Sequence, residues 1–283
     1  MSRILVTGAT GNAARHLPGK LLAAGHSVRV LVHRTPGTEL DRRIETVAGD
    51  LTDAGSLPAA LDGIDQVFLV TVGDGAAAFA KAAAAHPELR VLLLSSKAVV
   101  NTEFAGFDNP IYRKHLLAEQ QLAELGVPLA TLRPGGLASN ALRWAPGIRE
   151  HSRVQALFPE LAAPLLDPDD LAAVAALILN AGVDAHRGAT YTLTGPEVVT
   201  VADQVEILSA VLGRPLELVR LTEEEALTAL ARTQPPEFVR DYIPVQRRYL
   251  ATTPAVHGTV AELLGRPART FREWAYANAF RFG

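Results

Sequence analysis

The chain has 283 residues, 48% of them hydrophobic, and a formal net charge of -3. That length buries a large core, and the mixed, slightly acidic charge leaves no basic stripe for nucleic-acid phosphates. Cysteine is absent, which removes disulfides and thiolate chemistry and suits a reducing compartment. No apolar run reaches the ~18 residues of a membrane span. The first residues lead straight into an apolar strand and not a charged leader, so a cytoplasmic protein without membrane or nucleic-acid partners is expected.

Six apolar runs follow one another in the first half: "ILVT", "VRVLV", "ETVAG", "QVFLVT", "RVLLLSS" and "PLATLRP". Most are separated by stretches with helical spacing. Continuous apolar strands joined by helices predict a parallel sheet covered on both faces, because each crossover traverses a layer. The expected fold class is α/β, a Rossmann-type doubly wound parallel sheet with a smaller C-terminal substrate lobe. Residues 1–135 form the nucleotide-binding domain. Residues 136–283 form mainly the lobe, with some segments returning to the first domain. Its predicted elements are a helix "DDLAAVAALILNAG", a strand "ATYTLTGP", a helix "VADQVEILSAVLG", a strand "LELVRL" and a helical tail ending near "FREWAYANAF".

The stretch "RILVTGATGNAARHLPGKLLAAGHSVRVLVHR" is the most specific. A strand ends at Thr7, Gly8 and Gly11 make a turn, and a helix follows. Gly8 permits the tight turn, Gly11 lets the main chain approach a pyrophosphate at a helix N-terminus, and Ala14 takes the third small position. Thr10, Asn12 and Ala13 complete this coenzyme loop. After the second strand, where an acid would receive the ribose hydroxyls of NAD, stand His33 and Arg34. A guanidinium clamps a 2'-phosphate that a carboxylate repels, so NADPH/NADP is expected, with NADH less favoured. Asp50, followed by Leu51, either meets the adenine or caps the next helix. Thr71, at the end of "QVFLVT", joins the coenzyme group.

With these residues, the chain resembles the atypical short-chain dehydrogenase/reductases, and within them the NmrA-like branch. The likeness rests on "VTGATGNAAR", "LLLSS", "YRKHLLAEQQLAELGVPLATLRPGGLASN", "DLAAVAALIL" and "YTLTGP". It implies a nicotinamide coenzyme and a substrate lobe. Members reduce ketones or quinones, epimerise sugars, or sense the coenzyme, so membership does not choose the reaction.

The reductases at large use a strand-end serine, a helix tyrosine and a lysine four residues later. Here Leu116 stands four after Tyr112, Ile111 stands four before His115, and Pro110 four before Lys114. The usual dyad is absent. Asn109 suits the helix cap and Pro110 its first position, which puts Ile111, His115, Ala118 and Leu122 on one inward stripe. His115 then takes the ribose-holding role, and Tyr112 either faces the pocket or packs. Lys114 is expected to point to solvent. Ser95 is a candidate for holding a substrate carbonyl and Ser96 for bordering the substrate; the alternative is that these strand-end serines satisfy loop backbone groups. By resemblance, Pro134, Gly135 and Gly136 run beside the nicotinamide; Asn140 and Trp144 are candidates for bordering the substrate, unless Trp144 belongs to the core.

Other signals are structural. "DPDDLAA" describes a helix start, with Asp167 as cap, and the eight histidines lack metal-ligand spacing. The expected function is an NADPH-dependent ketoreductase acting on an apolar carbonyl compound. The broken dyad resembles the angucyclinone ketoreductases, which act on aromatic polyketides in antibiotic biosynthesis. Quinone reduction and non-catalytic NADP(H) sensing are the alternatives; epimerisation lacks its tyrosine base.

Overall fold

Seven strands run parallel in one sheet in the order β3-β2-β1-β4-β5-β6-β9. The computed structural model describes residues 1–33, 40–71, 75–100, 110–232, 234 and 236–283, without the side chains of 110, 111 and 237. Along the first half come β1 (Arg3–Val6), α1 (Leu17–Ala23), β2 (Ser27–Val32), β3 (Glu45–Ala48), α2 (Pro58–Leu61) and β4 (Gln66–Val70). Then follow α3 (Gly75–Ala83), β5 (Arg90–Leu94), α4 (Pro110–Ala123) and β6 (Leu129–Pro134). These six strands are the six apolar runs; β1, β2, β4, β5 and β6 are legible because strands buried on both faces carry few polar residues, whereas β3 is a largely exposed edge strand.

Alternation assigns each strand residue to a face. Ile4, Val6, Phe68, Leu92 and Leu132 pack under α1 and a later helix, while Leu5, Val67, Leu69, Val91 and Leu93 pack under α2, α3 and α4. Each fully buried Leu or Ile contributes roughly 1.5–3 kcal/mol. The strand order reverses direction of travel between β1 and β4, which opens a crevice beyond their carboxyl ends.

After β6 a 3-10 segment over Ala138–Trp144 leads to α5 (Ala145–His151), β7 (Arg153–Ala156) and β8 (Ala162–Ala163). The chain then returns to the sheet as α6 (Pro168–Ala181) and β9 (Thr190–Leu193), which pairs with β6. Gln66 anchors this return: its buried amide donates to Leu179 O at 2.9 Å, and its carbonyl accepts from Val183 N at 3.1 Å. The rest comprises β10 (Val199–Thr200), α7 (Val201–Leu212), β11 (Glu217–Arg220), α8 (Glu223–Leu230), α9 (Pro236–Leu250), α10 (Thr259–Leu264) and α11 (Phe271–Asn278). β11 pairs with β7 and β10 with β8, and Trp144, Ile148, Leu208, Phe271 and Trp274 form a separate lobe core.

The crossings between sheet and lobe run side by side. Leu166 N donates to Gly136 O at 2.8 Å, Ala138 N to Leu166 O at 2.9 Å, and Gly195 N to Pro164 O at 3.1 Å. A Cβ on Gly195 would lie 2.0 Å from Leu165 O, so only glycine admits this approach. "DPDDLAA" starts α6 as expected, with Asp167 accepting from Asp169 N at 2.7 Å.

Candidate coenzyme crevice and active site

The crevice begins at Thr7, whose buried hydroxyl accepts from Val70 N at 2.7 Å and lies 3.2 Å from Val70 O and 3.3 Å from Phe68 O. Gly8 follows with φ +65°, and a Cβ there would sit 3.0 Å from Val70 Cβ. Both the turn and the close packing require glycine. Gly11 N closes the turn onto Gly8 O at 2.9 Å. Thr10, Gly11 and Asn12 are exposed, and the N–H groups of Thr10, Asn12 and Ala13 have no partner among the described residues. Such convergent free donors suit a diphosphate.

The helix does not begin at this turn as the sequence reading expected. Turns continue to His16, and α1 starts at Leu17. Pro18 explains the delay: it has no N–H to donate to Ala14 O, so regular helix starts around it, with Leu17 N closing onto Ala14 O at 3.0 Å. Ala14 is fully buried, as the third small position requires.

At the other end of the crevice His33 follows β2, and its Nδ1 lies 3.6 Å from Asp50 Oδ2. Asp50 does not cap the following helical turn; Asp53 does, accepting from Gly55 N at 2.9 Å. Asp50 instead accepts from Thr52 N and Thr52 Oγ1 at 2.8 and 2.7 Å, bonds that hold its carboxyl below the ordinary carboxylate range. Leu51 is in the core. Arg34 and Asn109 lie outside the described residues.

Thr71, 3% exposed at the end of β4, has a hydroxyl with no partner among the described residues. A buried hydroxyl left unsatisfied costs about 1–3 kcal/mol, which marks Thr71 as a group awaiting a ligand or water. The β4–β5 register, extended one step beyond Val70 and Leu94, sets Thr71 beside Ser95.

Ser95 is engaged elsewhere. Its hydroxyl donates to Glu119 Oε1 at 2.5 Å, and Arg133 grips the same carboxylate with Nε at 2.9 Å and a terminal nitrogen at 2.5 Å. This cluster ties β5, α4 and β6 together. Ser96 is half-buried and accepts from Ala98 N at 3.2 Å, which starts the 3-10 turn after β5. Ser96 thus satisfies a loop backbone group, whereas the Ser95 hydroxyl is taken by a distant side chain, Glu119 of α4.

On α4, Ala118 and Leu122 are buried along the expected inward stripe. The side chain of Ile111 on that stripe lies outside the described residues. His115 is partly buried, its Nδ1 has no partner among the described residues, and burial, with the Lys114 charge beside it, lowers its pKa to about 4 against an upward pull from Glu119. The ring is therefore neutral near pH 7, able to donate or accept at a hydroxyl but not to act as a cation. Lys114 is not a solvated side chain: it is half-buried, and burial lowers its pKa. Tyr112 is half-buried at the start of α4.

Pro134 is buried, and Gly135 N bonds Leu193 O at 2.9 Å. Gly136 has a packing reason of its own, because a Cβ would meet Leu165 Cδ2 at 3.0 Å. Asn140 is exposed. Trp144 is both core and lining: 7% exposed, it carries Arg143 at 5.2 Å over its ring and walls a lobe cavity of about 550 Å³. Sequence reasoning missed Glu119 and Arg133. It also missed Thr194, just after β9, whose hydroxyl accepts from His257 N at 2.9 Å, while His257 stands near Lys97 of the 3-10 turn after β5. No group of three or more His, Asp or Glu among the described residues is arranged to hold a metal.

A parallel sheet with its order reversed between β1 and β4, and a glycine turn at that reversal, defines a Rossmann-type dinucleotide-binding protein. Residues 1–250 match the NmrA-like family, and the chain belongs to it. It is 39% identical to a (4-alkanoyl-5-oxo-2,5-dihydrofuran-3-yl)methyl phosphate reductase of Streptomyces griseus subsp. griseus, over 99% of each chain. It is 35% identical to an NAD(P)H azoreductase of Xenophilus azovorans, again over 99% of each. In three dimensions it resembles the Escherichia coli NADPH-dependent quinone oxidoreductase complexed with NADPH, with TM-score 0.75, 21% identity, and 97% and 99% of the two chains covered.

Proposed function

We propose that this NmrA-like protein is an NAD(P)H-dependent oxidoreductase acting on an apolar, conjugated small molecule whose reduced form takes its proton from water. The observation that carries this reading is the engagement of Ser95 by Glu119 and Arg133, next to a neutral His115 where the usual lysine would stand. An isolated ketone becomes a strongly basic alkoxide and needs a placed acid. A conjugated acceptor spreads that charge and needs none.

The chain's own residues bind and orient. The N–H groups of Thr10, Asn12 and Ala13 would hold the diphosphate, Thr71 and His115 would meet hydroxyl or amide groups of the coenzyme, and Pro134 and Gly135 would pass its reactive ring. When bound, the coenzyme supplies the hydride. His33 and Arg34 in place of an acid after β2 favour NADPH over NADH. The relatives' names support the acceptor class, since a quinone, an azo bond and an alkanoyl-oxo-dihydrofuran are all conjugated. A bulky aromatic, polyketide-like ketone joins these acceptors through a ring phenol beside its carbonyl, which protonates the alkoxide; conjugation with the ring alone does not suffice, because hydride addition leaves the charge on one oxygen.

The test follows NADPH absorbance with a simple quinone, a polycyclic aromatic ketone that carries a phenol beside its carbonyl, and an isolated cyclic ketone. Reduction of the first two and not the third is expected. Equal rates on the isolated ketone would overturn the proton argument, and tight NADPH binding with no turnover on any would leave a coenzyme sensor.

A further inference from the structure

The cavity of about 550 Å³ lies in the lobe between α5, β7, α8 and α9, and its volume falls in the ~300–1,000 Å³ range of small-molecule sites. Its apolar wall is aromatic, with Trp144, Phe158, Phe238 and Tyr242. Among the described residues no aspartate or glutamate lines it, whereas Arg143, Arg153, His151 and the amides of Gln155, Gln234 and Gln246 do.

The cations are not equivalent. Arg153 is paired with Glu217 at 2.9 Å, so its charge is already compensated. Arg143 has no carboxylate partner among the described residues. Its guanidinium is held over the Trp144 ring, an arrangement that fixes the charge while its edge N–H groups stay free. A flat aromatic wall topped by an uncompensated guanidinium is a receptor for an amphiphilic anion. Two elements lead from the cavity toward the sheet edge: Arg143 and Trp144 end the 3-10 segment that follows Gly135 and Gly136, and α9, which lines the cavity, packs against α4.

We infer that this cavity takes the non-reacting part of the substrate, and that the substrate is an aromatic or long apolar molecule carrying a carboxylate, sulfonate or phosphate that Arg143 receives. This rests on the reductase reading for the word substrate, but its binding arm needs no turnover.

The probes are naphthalene-2-sulfonate and its neutral twin naphthalene-2-sulfonamide, titrated calorimetrically into the full chain. The sulfonate is expected to bind at least ~10-fold tighter. Arg143→Gln should remove most of that preference while leaving sulfonamide affinity unchanged, which also shows that the variant is folded. Gln246→Glu, which puts a carboxylate on the wall, should weaken the sulfonate ~10-fold and spare the sulfonamide. The sulfonate should also compete with the reducible acceptor at a concentration matching its dissociation constant. Equal affinity of the twins, no binding of either, or binding without competition would each overturn the inference. An inactive protein that still discriminates the twins would instead count against the reductase reading alone.

Discussion

Arg133 grips Glu119 with two nitrogens, and the oxygen that takes its Nε also accepts the Ser95 hydroxyl. With side chains only 19% and 14% exposed, the pair is partly withdrawn from water. Removing one partner strands the other, which costs more than a surface ion pair contributes. Glu119→Ala should lower unfolding free energy by about 2–4 kcal/mol and Ser95→Ala by about 1 kcal/mol in urea titrations. Turnover of Ser95→Ala should stay within ~3-fold of the parent. A loss above ~100-fold with stability retained would return Ser95 to the chemistry.

Gly8→Ala places a methyl group 3.0 Å from Val70 Cβ at φ +65°. The left-handed backbone alone costs a non-glycine residue about 1–2 kcal/mol. Calorimetry with NADPH should show affinity reduced by at least ~10-fold and a lowered melting temperature. Unchanged affinity would remove this turn from coenzyme binding.

His115 titrates at about 4 in the folded chain, against an ordinary value of 6.5, chiefly because it is buried. Between those values the unfolded chain holds the proton and the folded chain does not, so stability rises with pH across that window. The contribution is complete above 6.5 and is lost as pH falls toward 4. His115→Gln should flatten this part of the stability profile relative to the parent. His16 and His257, also lowered by burial, titrate in both proteins and cancel in the difference. An unchanged slope would show that His115 is hydrated.

Arg34→Ala tests the coenzyme preference argued from the sequence. The ratio of NADPH to NADH affinity should fall at least ~10-fold, with NADH affinity nearly unchanged, because only the 2'-phosphate distinguishes the two. An unchanged ratio would assign selectivity to other groups.

The central strands were legible because they are apolar on both faces, and the glycine turn because Gly8 takes a positive φ that strains any side chain. The Ser95 contacts were not legible, since Glu119 and Arg133 come 24 and 38 residues later and nothing local pairs them. Lys114 misled for a related reason: a charged residue off the inward stripe reads as solvated, yet it is half-buried. β7, β8 and β10 are two to four residues long, too short for a period to emerge, and β7 takes its partner β11 from more than sixty residues away. The late start of α1 was present in the sequence as Pro18.

The Thr7 hydroxyl that joins β1 to β4 acts where their main chains diverge, replacing a ladder bond just as the strands separate. One side chain thereby sets the gape of the cleft, independently of anything the lobe contributes. The lobe's walls can consequently be refashioned for new guests while the jaw for the nucleotide keeps its span.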